Sequence, residues 1–174
     1  MAEKEDDWVR IQLPGGSSVP VRRGSPVEAA FGTSPVPAPT DRMQWSIGLL
    51  GDFLWLNLPE CRPFFAEQIK AEVEQAIDHD RELRPLQPMD IADYVLWQPL
   101  IEPALEARPM DEQWVSRLLR VVREAWELEP PPWEDTRYGL RVYVLERLDV
   151  PEHLPVVERL DPALYAAIRA EIGS

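Results

Sequence analysis

The chain is poor in the residues from which most enzymes build reactive centres: among 174 residues it has one cysteine and two histidines. A lone Cys61 forms no intramolecular disulfide, and two imidazoles supply little material for a metal site or a general base. Basic charge is scarce as well, with 18 Lys and Arg against 31 Asp and Glu and a formal charge of −13. Such a surface repels nucleic acid and anionic membrane and attracts basic partners. Long apolar runs are missing. The most hydrophobic stretch, Trp45 to Leu58, is interrupted by Gly48, Gly51, Asp52 and Asn57, and falls short of the roughly 18 to 20 residues a span requires, so it reads as a buried helix. Residues 1–7, Met-Ala-Glu-Lys-Glu-Asp-Asp, lack the basic and apolar segments of a signal peptide, which points to the cytoplasm.

What is present belongs to a folded protein. Hydrophobic residues make up 45% of the chain and include seven tryptophans, unlike a disordered acidic tail. The acidity is uneven: residues 1–40 carry a net charge of −1, residues 41–109 of −7 and residues 110–174 of −5. The division expected is therefore an arm with a Pro-rich linker over 1–40 and a helical domain over 41–174. Within the arm, Trp8 to Leu13 alternates, Pro14-Gly15-Gly16-Ser17-Ser18 supplies turn residues, and Val19 to Arg22 returns as a second short strand. Thr33 to Thr40 holds three prolines that favour extended chain.

Beyond the linker the pattern is helical. Phe65, Ile69, Val73, Ala76 and Ile77 form an apolar stripe, with Glu67, Lys70, Glu74 and Asp78 opposite. Trp114, Val115, Leu118, Leu119, Val122, Ala125 and Trp126 make a second stripe, opened by Asp111-Glu112 and expected to run to Pro130. Met89 to Ala107 is apolar enough for a helix, but Pro99 and Pro103 predict a kink or two short helices. Tyr138 to Leu148 is ambiguous, since Val142, Tyr143 and Val144 favour a strand while Leu140, Val144 and Leu148 fit a helical face, and it is read as helix. Asp161 as N-cap, Pro162 at the first helical position and Gly173 near the end mark the last helix. The fold expected is mainly α: an irregular helical bundle or α-solenoid-like body with an N-terminal β-hairpin-like arm.

Few residues invite chemistry. Asp78-His79-Asp80 suggests a metal-dependent hydrolase, yet His153 is the only further imidazole, so no metal, cofactor or catalytic residue is expected. Cys61 beside Arg62 has neither base nor oxyanion site near it in sequence and reads as a packed thiol. No Gly-rich phosphate loop, GxSxG, HExxH or CxxC occurs.

Two acidic regions remain as candidate partner-binding surfaces. Glu124 to Asp135 has five acids, no basic residue and two tryptophans. Of these, Glu127, Glu129, Trp133, Glu134 and Asp135 are the expected contacts, with Trp133 as aromatic anchor after three prolines. The second region runs from Glu72 and Glu74 through Asp78, Asp80 and Glu82 to Asp90 and Asp93, and contributes Asp78, Asp80 and Glu82.

In size, acidity and helical texture, residues 41–174 resemble the small acidic helical immunity proteins of bacterial toxin systems. That resemblance implies a non-enzymatic inhibitor of a basic partner, a toxin or nuclease domain, without direct contact to nucleic acid or membrane. The alternative is an adaptor or assembly subunit of a larger complex that docks through its N-terminal arm.

Overall fold

The computed structural model describes residues 8–12, 18–25, 34–35, 47–130 and 134–173, which fall into two compact units. Met1–Ser46 and Arg62–Leu86 form one, Ile47–Cys61 and Gln87–Ser174 the other. The boundary expected near residue 41 lies outside the described residues. The body is mainly helical, and none of its described helices is long and apolar enough to cross a membrane.

In the first unit, β1 (Trp8–Gln12) lies between β2 (Ser18–Arg22) and β3 (Ser34–Pro35), antiparallel to both. Val9 and Ile11, two apart and hence on one face of β1, are buried, as is Val21, which pairs with Val9. Of the turn residues expected in the arm, 14–18, positions 14–17 lie outside the described residues and Ser18 opens β2. The same unit holds α2 (Arg62–Asp78), whose buried face is Phe65, Ile69, Val73 and Ala76. Ile77, expected on that face, is instead 47% exposed. At about 100° per residue it stands roughly 120° round the helix from Phe65, outside the stripe.

The second unit begins with α1 (Gly48–Asn57), which buries Leu50 and Leu54 and continues into the helical turn Pro59–Cys61. From Pro88 to Glu106 the chain stays helical: α3 (Pro88–Asp90), a π-helical segment Ile91–Ile101, here π1, and α4 (Glu102–Glu106). The chain does not break into two helices at Pro99 or Pro103. The helix widens instead, and the Glu102 N–H bonds the carbonyl of Trp97, five residues back.

Helix α5 (Glu112–Trp126) is capped by Asp111, which accepts from the Trp114 N–H at 3.0 Å. It buries Val115, Leu118, Leu119, Val121, Val122 and Ala125, and ends at Trp126, short of Pro130. It packs on α1, α8 (Leu154–Leu160) and α9 (Pro162–Glu171), which makes its apolar face the centre of the unit. Residues 136–148 form α6 (Thr136–Leu140), a second π segment, π2 (Arg141–Leu145), and α7 (Glu146–Leu148), with Leu140, Val144 and Leu148 fully buried. Gly139 allows α6 to lie on α3, since a Cβ there would meet the Pro88 carbonyl carbon at 2.9 Å. Asp161 caps α9 by accepting from Leu164 N–H at 2.9 Å and also takes Arg123 Nε at 3.2 Å, tying α9 to α5.

Candidate functional site

The C-terminal end of α2 gathers several exposed carboxylates that are unpaired among the described residues. Arg81 N–H bonds the Ala76 carbonyl at 2.9 Å and Asp80 N–H bonds that of Ile77 at 3.2 Å, the two bonds of a Schellman stop. Such a stop places one residue in the left-handed region, usually glycine; here it is Asp80, at φ 46°. Asp78, Asp80 and Glu82 are exposed, as is Glu74 one turn earlier, and none of the four carboxylates has an ion-pair partner among the described residues. Exposed Ile77 lies between Glu74 and Asp78 in sequence, so one apolar side chain stands within the acidic group. Periodicity alone assigned it to the core.

Not every acid of that region is available. Glu72 accepts from Arg81 Nη1 at 2.6 Å and Nη2 at 2.8 Å, and from the Arg84 N–H at 2.6 Å. The Arg81 guanidinium thereby holds the Glu72 carboxyl below its ordinary pKa. The carboxylate fastens the segment after α2 back onto the helix. Asp93 is buried in π1 of the second unit and pairs with Arg147 at 2.7 Å.

The second expected surface is divided in the same way. Glu127, at the C-cap of α5, Glu129 and Asp135 are exposed; Glu127 keeps a loose pair with Arg123 at 3.7 Å. Trp133 lies outside the described residues. Glu134 turns inward: its carboxylate accepts from the Leu49 N–H at 3.0 and 3.1 Å, the Leu50 N–H at 3.4 Å and the Thr136 hydroxyl at 2.5 Å. It therefore caps α1 from 85 residues away. Gly48 at φ 72° leaves room for it, because a Cβ there would stand 3.2 Å from the carboxylate.

A third constellation has no signature in the sequence. Arg147, paired to Asp93, lies over the Trp97 and Tyr143 rings, each at 5.5 Å, and so joins π1 to the end of π2. Trp97 is buried, its Nε1 has no hydrogen-bond partner among the described residues, and its ring meets that of His153 at 5.9 Å. His153 Nδ1 lies 3.0 Å from the Arg147 carbonyl.

The remaining candidates occupy ordinary positions. His79 is exposed, with Nδ1 on the Gln75 carbonyl at 2.9 Å, and Cys61 is buried with its thiol 3.5 Å from the Leu54 carbonyl. Among the described residues no group of three or more His, Cys, Asp or Glu is placed to hold a metal ion. Neither family models nor curated proteins nor solved structures match this chain, so its reading rests on these residues.

Proposed function

We propose that the protein is a cytoplasmic acidic binding module that neutralises a basic partner, a toxin or nuclease domain, in the manner of an immunity protein. The observation that carries this reading is the end of α2. Glu74, Asp78, Asp80 and Glu82 are exposed and unpaired among the described residues, around an exposed Ile77. A helix C-terminus already carries about −0.5 charge, so each nearby carboxylate costs roughly 0.3–1 kcal/mol instead of stabilising the fold. A cationic partner offsets that cost, and residues that oppose stability concentrate where function needs them. Glu127, Glu129 and Asp135 are further exposed acids beyond α5, Glu127 within 3.7 Å of Arg123, and Trp133 is the aromatic anchor of the proposal. The hairpin-like arm and the irregular bundle are its scaffold. Complementary charge gives fast association, and a desolvated apolar anchor gives slow release.

The test compares the parent protein with Asp78→Lys, Asp80→Asn, Glu82→Lys, in which Asn keeps the left-handed position tolerable. Tagged protein is used to capture partners from the cells that produce it, after nuclease treatment, and the recovered partner is assayed for toxic or nuclease activity. The parent is expected to retain one stoichiometric basic protein and to suppress its activity, with the variant folded and losing both. A folded variant that inhibits as well as the parent would sink the reading.

A further inference from the structure

Next to the Trp97–His153 contact lies a cavity of about 380 Å³, lined by Leu105, Met110 and Val156 and by Glu106, Arg108, Glu152 and His153. Its size lies in the range of small-ligand sites, and four of its seven lining residues are polar or charged, with Glu106, Arg108 and Glu152 exposed. The imidazole is fixed on two sides, by the Trp97 ring and by the Arg147 carbonyl. A carbonyl only accepts, so Nδ1 carries the hydrogen, and in that tautomer of the imidazole Nε2 is the acceptor. Nε2 has no partner among the described residues, and neither Glu106 nor Glu152 makes a hydrogen bond or ion pair there. Arg108 spends Nη1 on the Leu105 and Ala107 carbonyls, at 2.9 and 2.8 Å, at the end of α4.

Arg108 keeps its positive charge, but the two carboxylates, neither of them ion-paired among the described residues, outnumber it, so the lining favours a cation beside the apolar Leu105, Met110 and Val156. The geometry points to a site for a small organic amine with an apolar body: its ammonium pairs with Glu106 and Glu152, one N–H is given to His153 Nε2, and its hydrocarbon part rests on Leu105, Met110 and Val156. This site is independent of the acidic end of α2 and of the protein partner proposed for it.

Because the chain has two histidines, each reports separately by NMR, and exposed His79 serves as internal reference. The full-length protein is titrated with benzylamine, and with phenylacetate as the oppositely charged control, following the imidazole Cε1–H resonances. Benzylamine is expected to shift His153 saturably with a Kd on the order of 1 mM, leaving His79 unmoved. In Glu106→Gln/Glu152→Gln, both exposed positions, the affinity falls about tenfold, and phenylacetate gives no saturable shift. Overturning results are an unsaturable or absent response of His153, an equal response of both histidines, an unchanged Kd in the double variant, or phenylacetate binding as tightly as benzylamine.

Discussion

Glu134 shows how one side chain is moved from one role to another by the fold. In sequence it belongs to an acidic, proline-bound loop and reads as surface. In space its carboxylate satisfies the Leu49 and Leu50 N–H groups that open α1, and takes the Thr136 hydroxyl. Helix starts leave donors without intrahelical partners, and a carboxylate there also meets the positive end of the helix dipole. Glu134→Ala leaves those donors to solvent or unpaired and is expected to cost about 1–3 kcal/mol, read as a lowered urea midpoint. A loss within about 0.5 kcal/mol, the range of an ordinary surface substitution, would show that water replaces the carboxylate without penalty. The link was invisible beforehand because no local rule joins positions 85 apart. Its neighbours Glu129 and Asp135, by contrast, are exposed as their composition suggested.

At the scale of elements, what could be read in sequence follows from how strongly each segment is patterned. Helices α2, α5 and α9 carry a clear apolar stripe or a capping residue; Asp161 accepts the N–H expected of an N-cap, and Asp111, read only as favourable charge at a helix start, accepts one as well. The stripe of α2 misassigned only Ile77, where a spacing of four had drifted off the buried face. Residues 91–101 gave less, because eight of the eleven are buried and a helix buried nearly all round has no period to detect. A π register therefore went unread in π1, and π2 with its β-branched residues was ambiguous between strand and helix. Asp93 of π1 pairs with Arg147 of α7, just after π2, and their side chains are 10% and 36% exposed. Removing one partner of a fully buried pair costs roughly 3–5 kcal/mol, and the partial hydration of Arg147 reduces that. Asp93→Ala is expected to destabilise by about 1–3 kcal/mol in urea unfolding, while Asp90→Ala, at a half-buried acid with no ion-pair partner among the described residues, stays within about 0.5 kcal/mol. Equal effects of the two would mean that the Arg147 pair contributes nothing beyond an ordinary surface charge.

For the whole molecule, a formal charge of −13 means that most carboxylates repel one another, so the few that stabilise the fold are those with a committed cation or with the N–H groups of a helix start. Glu72 is the clearest in the first unit, because Arg81 and the Arg84 N–H both bond the ionised form. Its folded pKa lies below its ordinary value, chiefly through the Arg81 hydrogen bonds. The unfolded chain therefore binds the proton first as acid is added. Glu72 contributes its full stabilisation above the ordinary glutamate pKa of about 4.3, and that contribution fades as pH falls toward the depressed folded value. Glu72→Gln keeps the shape and removes the titration. It is expected to be less stable than the parent at pH 7 and to approach it at pH 3, each measured as a urea midpoint. The other carboxylates titrate in both proteins and cancel in the difference. If the gap between parent and variant stays constant from pH 7 to pH 3, the bond from Arg81 does not depend on the Glu72 charge, and the segment after α2 is held by its backbone bonds alone.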